Sequence, residues 1–282
     1  MRLAVLSDVH GNLPALEAVL GDMQRDAPDG LIVAGDLTGG PHTRQTLALL
    51  TAARAHMIRG NGASLLLEYA AGDGPAAWRE ALQFDMLRWD YRHAGAETLE
   101  LLRSLPDERT VGLPGTPPIR VVHGSPRHPA ESIYPERDPA LLALSLGMTA
   151  EPVLICGHTH EPWSRVLDGK LALNPGAVCG PLNGFVGAQY ALLSWDGTHW
   201  AVEHRAVLYD VGRVRTAFAE SGLLDEGGAL ARAFLRSIET GRDAALAFLS
   251  HAYSLAEAAG HVDCEFVPDA AWQRAAATFA WE

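Results

Sequence analysis

The sequence predicts an α/β protein: a parallel or mixed sheet flanked by helices, then a second, more antiparallel sheet, then a helical C-terminal extension. Three observations carry that reading. Short apolar runs alternate with helical spacing through the first two thirds of the chain. Two Asp-Gly pairs divide apolar stretches beyond Gly157, and residues 210 to 282 are almost wholly helical in pattern.

Taken in order, Leu3 to Leu6, Leu31 to Ala34, His56 to Ile58, Ile119 to Val122 and Val153 to Cys156 read as buried strands, because each is a short apolar run without polar alternation. Leu13 to Gln24 and Arg44 to Ala53 carry helical spacing, and Asn12 before Leu13-Pro14 is a helix-start signal. Strand–helix–strand repetition of this kind favours a parallel or mixed sheet. Trp163 to Leu167 and Lys170 to Leu173 flank Asp168-Gly169, and Gly187 to Ser194 and Thr198 to Val207 flank Asp196-Gly197; Asp-Gly is a favoured hairpin turn. These two hairpins are expected to form the second sheet. Residues 63 to 105 read as a helical, cap-like insertion able to cover a site. Its aromatic residues Trp78, Trp89 and Tyr91 are assigned to the core rather than to a substrate pocket, because aromatics at helical spacing usually pack inward. The division that follows is a catalytic unit over 1–208 and a helical extension over 209–282.

The 282 residues carry a net charge of −12, with 48% hydrophobic and 20% charged residues. That balance is globular and argues against an extended nucleic-acid surface, which needs clustered Lys and Arg. An acidic protein that handles phosphate needs local positive charge, and bound metal ions would supply it. The chain opens directly into an apolar run without a charged leader, no stretch has the length of a membrane span, and its three cysteines show no close pairing. A cytoplasmic, reduced setting is the expectation.

The chemistry-bearing residues fall at similar places in the pattern. Asp8 and His10 follow the first strand, Asp36 the second and Asn61 the third; His123 ends a later strand, and His158 and His160 follow the strand near Cys156. Open sheets place ligand sites beyond the carboxyl ends of their strands, so these loops should converge. Asp8-Val9-His10 and His158-Thr159-His160 are each expected to project two ligands to one side of an extended segment. Imidazole and carboxylate donors together suit Mn²⁺, Fe²⁺, Zn²⁺, Co²⁺ or Ni²⁺, and seven such groups suit two ions better than one. Each residue alone could be a helix cap, a turn residue or a hydrogen-bonded core histidine; the ordered set is what those readings fail to explain.

Ser7-Asp8-Val9-His10-Gly11-Asn12, Gly35-Asp36, Gly60-Asn61, Val122-His123-Gly124 and Gly157-His158-Thr159-His160, in that order, resemble the calcineurin-like metallophosphoesterase superfamily. Asn174-Pro175-Gly176 resembles the element that follows in its small bacterial phosphodiesterase branch. The resemblance implies two mixed sheets packed as a sandwich flanked by helices. It also implies that Asp8, His10, Asp36 and His160 hold one ion, with Asp36 bridging to a second held by Asn61, His123 and His158. Manganese is the foremost expectation. The implied reaction is in-line attack on phosphorus by a metal-activated hydroxide, with no covalent intermediate.

One departure stands out. Where the family pattern places a histidine after Gly-Asn, thought to protonate the leaving group, this chain has Gly62. General acid catalysis is worth roughly 10²–10⁴-fold, so its loss falls hardest on poor leaving groups and favours activated or cyclic diesters. His42 and His128 are alternative proton donors, Arg127 is a candidate phosphate ligand because its fork can donate two hydrogen bonds, and Arg59 is a candidate support for Asn61. The expected function is a phosphoesterase, diester more than monoester, acting on small or nucleotide-like substrates. The rival from another class is a metal- and nucleotide-binding regulatory module with little turnover. A homo-oligomer is compatible with the Ala- and Leu-rich C-terminal helices.

Overall fold

The computed structural model describes residues 1–281. The first half contains β1 (Arg2–Leu6), α1 (Leu13–Met23), β2 (Gly30–Val33), α2 (Thr43–Ala52), β3 (His56–Met57), α3 (Asn61–Ala71), α4 (Ala77–Glu80) and α5 (Asp85–Ser104). There follow β4 (Arg109–Val111), β5 (Ile119–Val121), α6 (Pro139–Met148), β6 (Val153–Ile155), β7 (Pro162–Leu167), β8 (Lys170–Pro175), β9 (Ala188–Trp195) and β10 (Trp200–Val207). The chain ends in α7 (Val211–Glu220), α8 (Leu223–Glu226), α9 (Gly228–Thr240), α10 (Ala244–Ala258) and α11 (Asp269–Thr278).

The strands form two mixed five-stranded sheets, ordered β10-β9-β1-β2-β3 and β4-β5-β6-β8-β7. Both faces of β1 are buried, and its side chains divide between two cores. Leu3 and Val5 join Ile32, Ile119, Val153 and Ile155 between the sheets. Ala4 and Leu6 point the other way, onto Leu16, Val19, Leu47 and Leu66 of the helices that cover the first sheet. On the outside of the second sheet, Leu154 and Ala172 pack against Leu142 and Leu146 of α6. The result is a helix–sheet–sheet–helix sandwich, with the central strands buried on both faces as a continuous apolar run requires. Asn12 caps α1 by accepting from the Ala15 amide at 3.1 Å, as its position before Leu13-Pro14 predicted.

Three sequence expectations are corrected. Both Asp-Gly hairpins form, but they do not make one later sheet. The pair β7–β8 extends the second sheet beside β6, whereas β9 pairs antiparallel with β1 and carries β10 into the first sheet. An apolar strand is equally able to pair with any neighbour, so the hairpin signal fixes a local turn and leaves the sheet undetermined. Strand β4 has only three residues at a sheet edge and was not read at all. Of the three aromatics assigned to the core, only Trp89 is fully buried; Trp78 is half-buried and Tyr91 is exposed. Trp89 and Tyr91 stand two residues apart on α5, about 200° around the helix, and Trp78 lies on the separate short helix α4, so the three cannot share one inward face.

The C-terminal helices return to the first half of the chain. Phe218, Leu223, Leu235 and Ile238 pack around Trp89 of α5. Beyond them Phe248, Trp272 and Val267 form a further core that reaches Leu82. No helix among the described residues is long and apolar enough to cross a membrane.

Candidate metal centre

The loops after β1, β2, β3, β5 and β6 converge at one end of the sandwich and are laced to each other through their backbones. The amide of Asp8 donates to the Gly35 carbonyl, that of His10 to the Asp36 carbonyl and that of Asp36 to the Arg59 carbonyl, at 3.1, 2.9 and 3.1 Å. On the other side, the Gly157 amide donates to the His123 carbonyl at 2.7 Å, and the Cys179 amide to the Asp8 carbonyl at 2.9 Å. Such close approach leaves no room for side chains at two glycines. A Cβ on Gly35, at φ +97°, would stand 2.3 Å from the Arg59 carbonyl oxygen, and one on Gly60, at φ +139°, would stand 2.3 Å from the Asp36 amide.

Asp8, His10, Asp36, His158 and His160 all have left-handed backbone, with φ between 43° and 69°. The Asp8–His10 and His158–His160 pairs therefore do not sit on extended segments. Their side chains converge because the chain doubles back at each, which corrects the strand-alternation argument while preserving its outcome. Non-glycine residues held this way store strain that the surrounding structure must offset, and such strain clusters at functional sites. Asn174, with its side chain fully buried, helps to hold the second turn: its amide donates to the Gly157 carbonyl at 2.7 Å and to Thr159 Oγ1 at 3.1 Å.

Two triads result, Asp8–His10–His160 and Asp36–His123–His158, each with its donor atoms within 4.8 Å of one another. The carboxylates lie between the histidines. Asp8 Oδ1 is 3.3 Å from His160 Nε2, 3.9 Å from His123 Nε2 and 4.0 Å from His10 Nε2. Asp36 Oδ2 is 3.3 Å from His123 Nε2 and 3.7 Å from His10 Nε2. The other oxygens are occupied: Asp8 Oδ2 accepts from the His158 amide at 3.1 Å and Asp36 Oδ1 from the Gly62 amide at 2.9 Å.

Three of the four imidazoles are aimed by the same device. The Nδ1 atoms of His10, His123 and His160 contact the carbonyls of Thr38, Ala34 and Gly180 at 3.0, 2.7 and 2.9 Å. A carbonyl can only accept, so each Nδ1 carries hydrogen and, in the neutral ring, the Nε2 lone pair faces inward, the arrangement that suits a metal ligand. Meanwhile Asp8 Oδ1, Asn61 Oδ1 and His123 Nε2 are buried without a hydrogen-bond partner. Unpaired buried polar atoms are costly, and three of the eight among the described residues belong to side chains whose order in the sequence implied metal binding. The donor set fits divalent ions.

The charges agree. Burial would raise the Asp8 carboxyl, but His160 and His123 outweigh it and hold it at about 2. Asp36 is pushed well below the usual carboxylate range, with burial overcome by His123 and His10. Burial opposes protonation of His123, yet Asp36 and Asp8 carry it up to about 9. His10 and His158 are lowered, chiefly by burial. Two buried carboxylates thus draw positive charge into the site, and a divalent ion supplies more of it than a proton can.

His10, Asp36, Asn61 and His158 also line a cavity of about 590 Å³. The catalytic candidates read from the sequence are elsewhere. His42 lines a separate groove with Asp210 and Arg213. Arg127 and His128 line a smaller recess that His123 also lines; the Arg127 guanidinium pairs with Glu131, and His128 Nδ1 accepts from the Ala130 amide at 3.1 Å. Arg59 meets the site through its backbone: its carbonyl accepts from the Asp36 amide, while its guanidinium pairs with Asp107 at 2.6 Å.

Sequence reasoning missed Asp90. It is 6% exposed on α5 and lines the same cavity. Burial pushes its carboxyl up to about 7, and the Gly39 amide and Thr38 hydroxyl beside it pull it only partway back. The available signal was its place in the row Met86, Asp90, Ala94, four residues apart on an inward helix face.

Comparison with known proteins agrees with this geometry. Residues 1–198 match the model of the calcineurin-like phosphoesterase superfamily domain. A metallophosphoesterase from Sphaerobacter thermophilus is 30% identical, with a TM-score of 0.68 over 86% of this chain and 100% of that one. A hypothetical protein from Pyrococcus horikoshii OT3, 20% identical, shares the fold with a TM-score of 0.70 over 85% of this chain and 98% of that one. An uncharacterized protein from Methanocaldococcus jannaschii is 25% identical over 233 residues, 74% of this chain and 88% of the relative. The matched family is metal-dependent, and this chain places two candidate metal-binding triads at the ends of its strands. The chain belongs to the calcineurin-like phosphoesterase superfamily.

Proposed function

We propose that the protein is a dinuclear metal-dependent phosphodiesterase acting on small phosphoesters. The observation that carries this reading is the pair of facing triads with their unpaired buried donor atoms. In it, Asp8, His10, Asp36 and His160 would hold one ion, and Asp36, Asn61, His123 and His158 the other. Bound there, the ions supply charge for the phosphoryl oxygens and lower the pKa of water enough to give a nucleophile near neutral pH. The chain's own part is positioning. The carbonyls of Thr38, Ala34 and Gly180 fix three imidazoles, and the Gly62 amide fixes Asp36. Residues 1–208 form the catalytic unit in this reading, and residues 63–105 and 209–282 enclose the approach to it.

Diester preference is supported by position 62. A Cβ there would stand 3.2 Å from Asp36 Oδ1, so a side chain at this position would project beside the centre, and glycine offers no proton to a leaving group. Manganese is the proposed ion, with Fe, Zn, Ni or Co as competitors. The test is hydrolysis of bis(p-nitrophenyl) phosphate and of p-nitrophenyl phosphate by metal-stripped protein with Mn²⁺ restored. The expected result is metal-dependent turnover with the diester preferred. Tight Mn²⁺ and nucleotide binding without turnover of any ester would instead favour the regulatory-module reading, which the same glycine motivates.

A further inference from the structure

The cavity over the candidate metal centre has two kinds of lining. One is His10, Asp36, Asn61 and His158; the other is an apolar wall built by Leu65 of α3, Met86 of α5, Leu230 and Phe234 of α9, and Leu246 and Leu249 of α10. The wall reaches the centre itself, because the Phe234 ring packs edge-on against His10 with centroids 5.3 Å apart. Its volume, about 590 Å³, is that of an ordinary small-molecule site.

The charge of the lining is the second observation. No Lys or Arg lines the cavity, and apart from Asp36 its charged residue types are Asp90 and Asp243. A second phosphate or a carboxylate on the substrate would therefore enter an apolar space without a counter-charge and beside acids. A hydrocarbon group would meet the opposite situation. Leu246 is 60% exposed and Tyr253 39% exposed, so part of the wall is apolar surface that a ligand could cover.

We propose that the substrate is a phosphoester bearing one uncharged alkyl or aryl group of several carbons, seated against α9 and α10 while its phosphoryl group faces the metal ligands. This rests on the phosphoesterase reading and narrows it, setting polyphosphates and oligonucleotides aside.

The test uses binding rather than turnover. Methyl-, butyl- and octylphosphonate, whose C–P bonds resist hydrolysis, are titrated calorimetrically into the Mn²⁺-loaded protein. Each buried methylene is worth roughly a three- to fourfold gain, so butylphosphonate should bind at least about tenfold tighter than methylphosphonate. 3-Phosphonopropionate, of similar length but with a terminal carboxylate, should show little of that gain. Leu246→Glu, at an exposed position that folding tolerates, and Phe234→Ala should each shrink the octyl-to-methyl ratio at least about threefold. A ratio within twofold of unity in the unsubstituted protein, equal gains from the carboxylate compound, or no saturable binding of octylphosphonate overturns the proposal. Failure to hydrolyse any ester counts against the phosphoesterase reading and leaves the phosphonate series to decide this one.

Discussion

Five of the seven candidate ligands hold left-handed backbone in loops threaded tightly enough to exclude a Cβ, and three buried donor atoms among the seven lack partners. Across the same cavity, α9 and α10 are regular helices presenting Leu230, Phe234, Leu246 and Leu249. The first region is built from strain and unpaired polarity, the second from hydrocarbon. The contrast assigns reaction to the loops and selection to the helices, and each region can be damaged separately.

The largest effect should come from Asp36→Asn. Loss of a residue that merely orients a ligand costs 10–100-fold, so neutralising the carboxylate between both triads should lower Mn²⁺-dependent diester hydrolysis by well over about a hundredfold. Near-normal turnover in the metal-restored variant would refute the division. On the helical side, Phe248 is fully buried among Trp272, Phe279 and Trp281. Phe248→Ala should cost about 3–5 kcal/mol in urea unfolding. If the regions are independent, the folded variant still takes up the same amount of Mn²⁺; a proportionate loss of metal would merge them.

Asp90 sits where they meet and gives the comparison a pH axis. Its folded value, about 7, lies above the ordinary 3.8. Below about pH 4 it is protonated in both states and contributes nothing. Between about pH 4 and 7 the unfolded chain ionises it and the folded chain does not, so folding stability falls across that window and levels off above it. Asp90→Asn removes this loss, and chelator-treated protein should show the variant gaining on the unsubstituted chain by up to on the order of 4 kcal/mol from pH 4 to 7. A pH-independent difference would show that Asp90 ionises freely. The smallest effect is expected at Asn174, which braces the second ligand turn without facing the centre. Asn174→Ala should weaken Mn²⁺ affinity by about 10–100-fold with the fold retained, read by metal titration. An unchanged affinity would mean the turn holds itself.

The same contrast explains what the sequence disclosed. Asp8, His10, Asp36, Asn61, His123, His158 and His160 were legible because each follows a strand within a residue or a few, and a strand end is a local feature. The hairpins' turns were legible, but β9 joins β1 from the far end of the two-sheet sandwich, and no residue in Ala188–Trp195 names that partner. The apolar wall escaped notice because Leu230 and Leu249 look like any inward helix residue until the other side of the cavity is known. Asp90 was hidden within Trp89-Asp90-Tyr91, where three adjacent positions on one helix face a core, a cavity and solvent.

Strand β1 lies in the middle of its sheet, between β2 and β9. On the ribosome it emerges long before the strand that covers its second edge, which begins at Ala188, and before Cys179, whose amide donates to the Asp8 carbonyl. Until that part of the chain has left the exit tunnel, an apolar strand waits with one edge open to wrong partners. The order of synthesis and the order of assembly are therefore opposed here: a strand made early is enclosed only by one made much later.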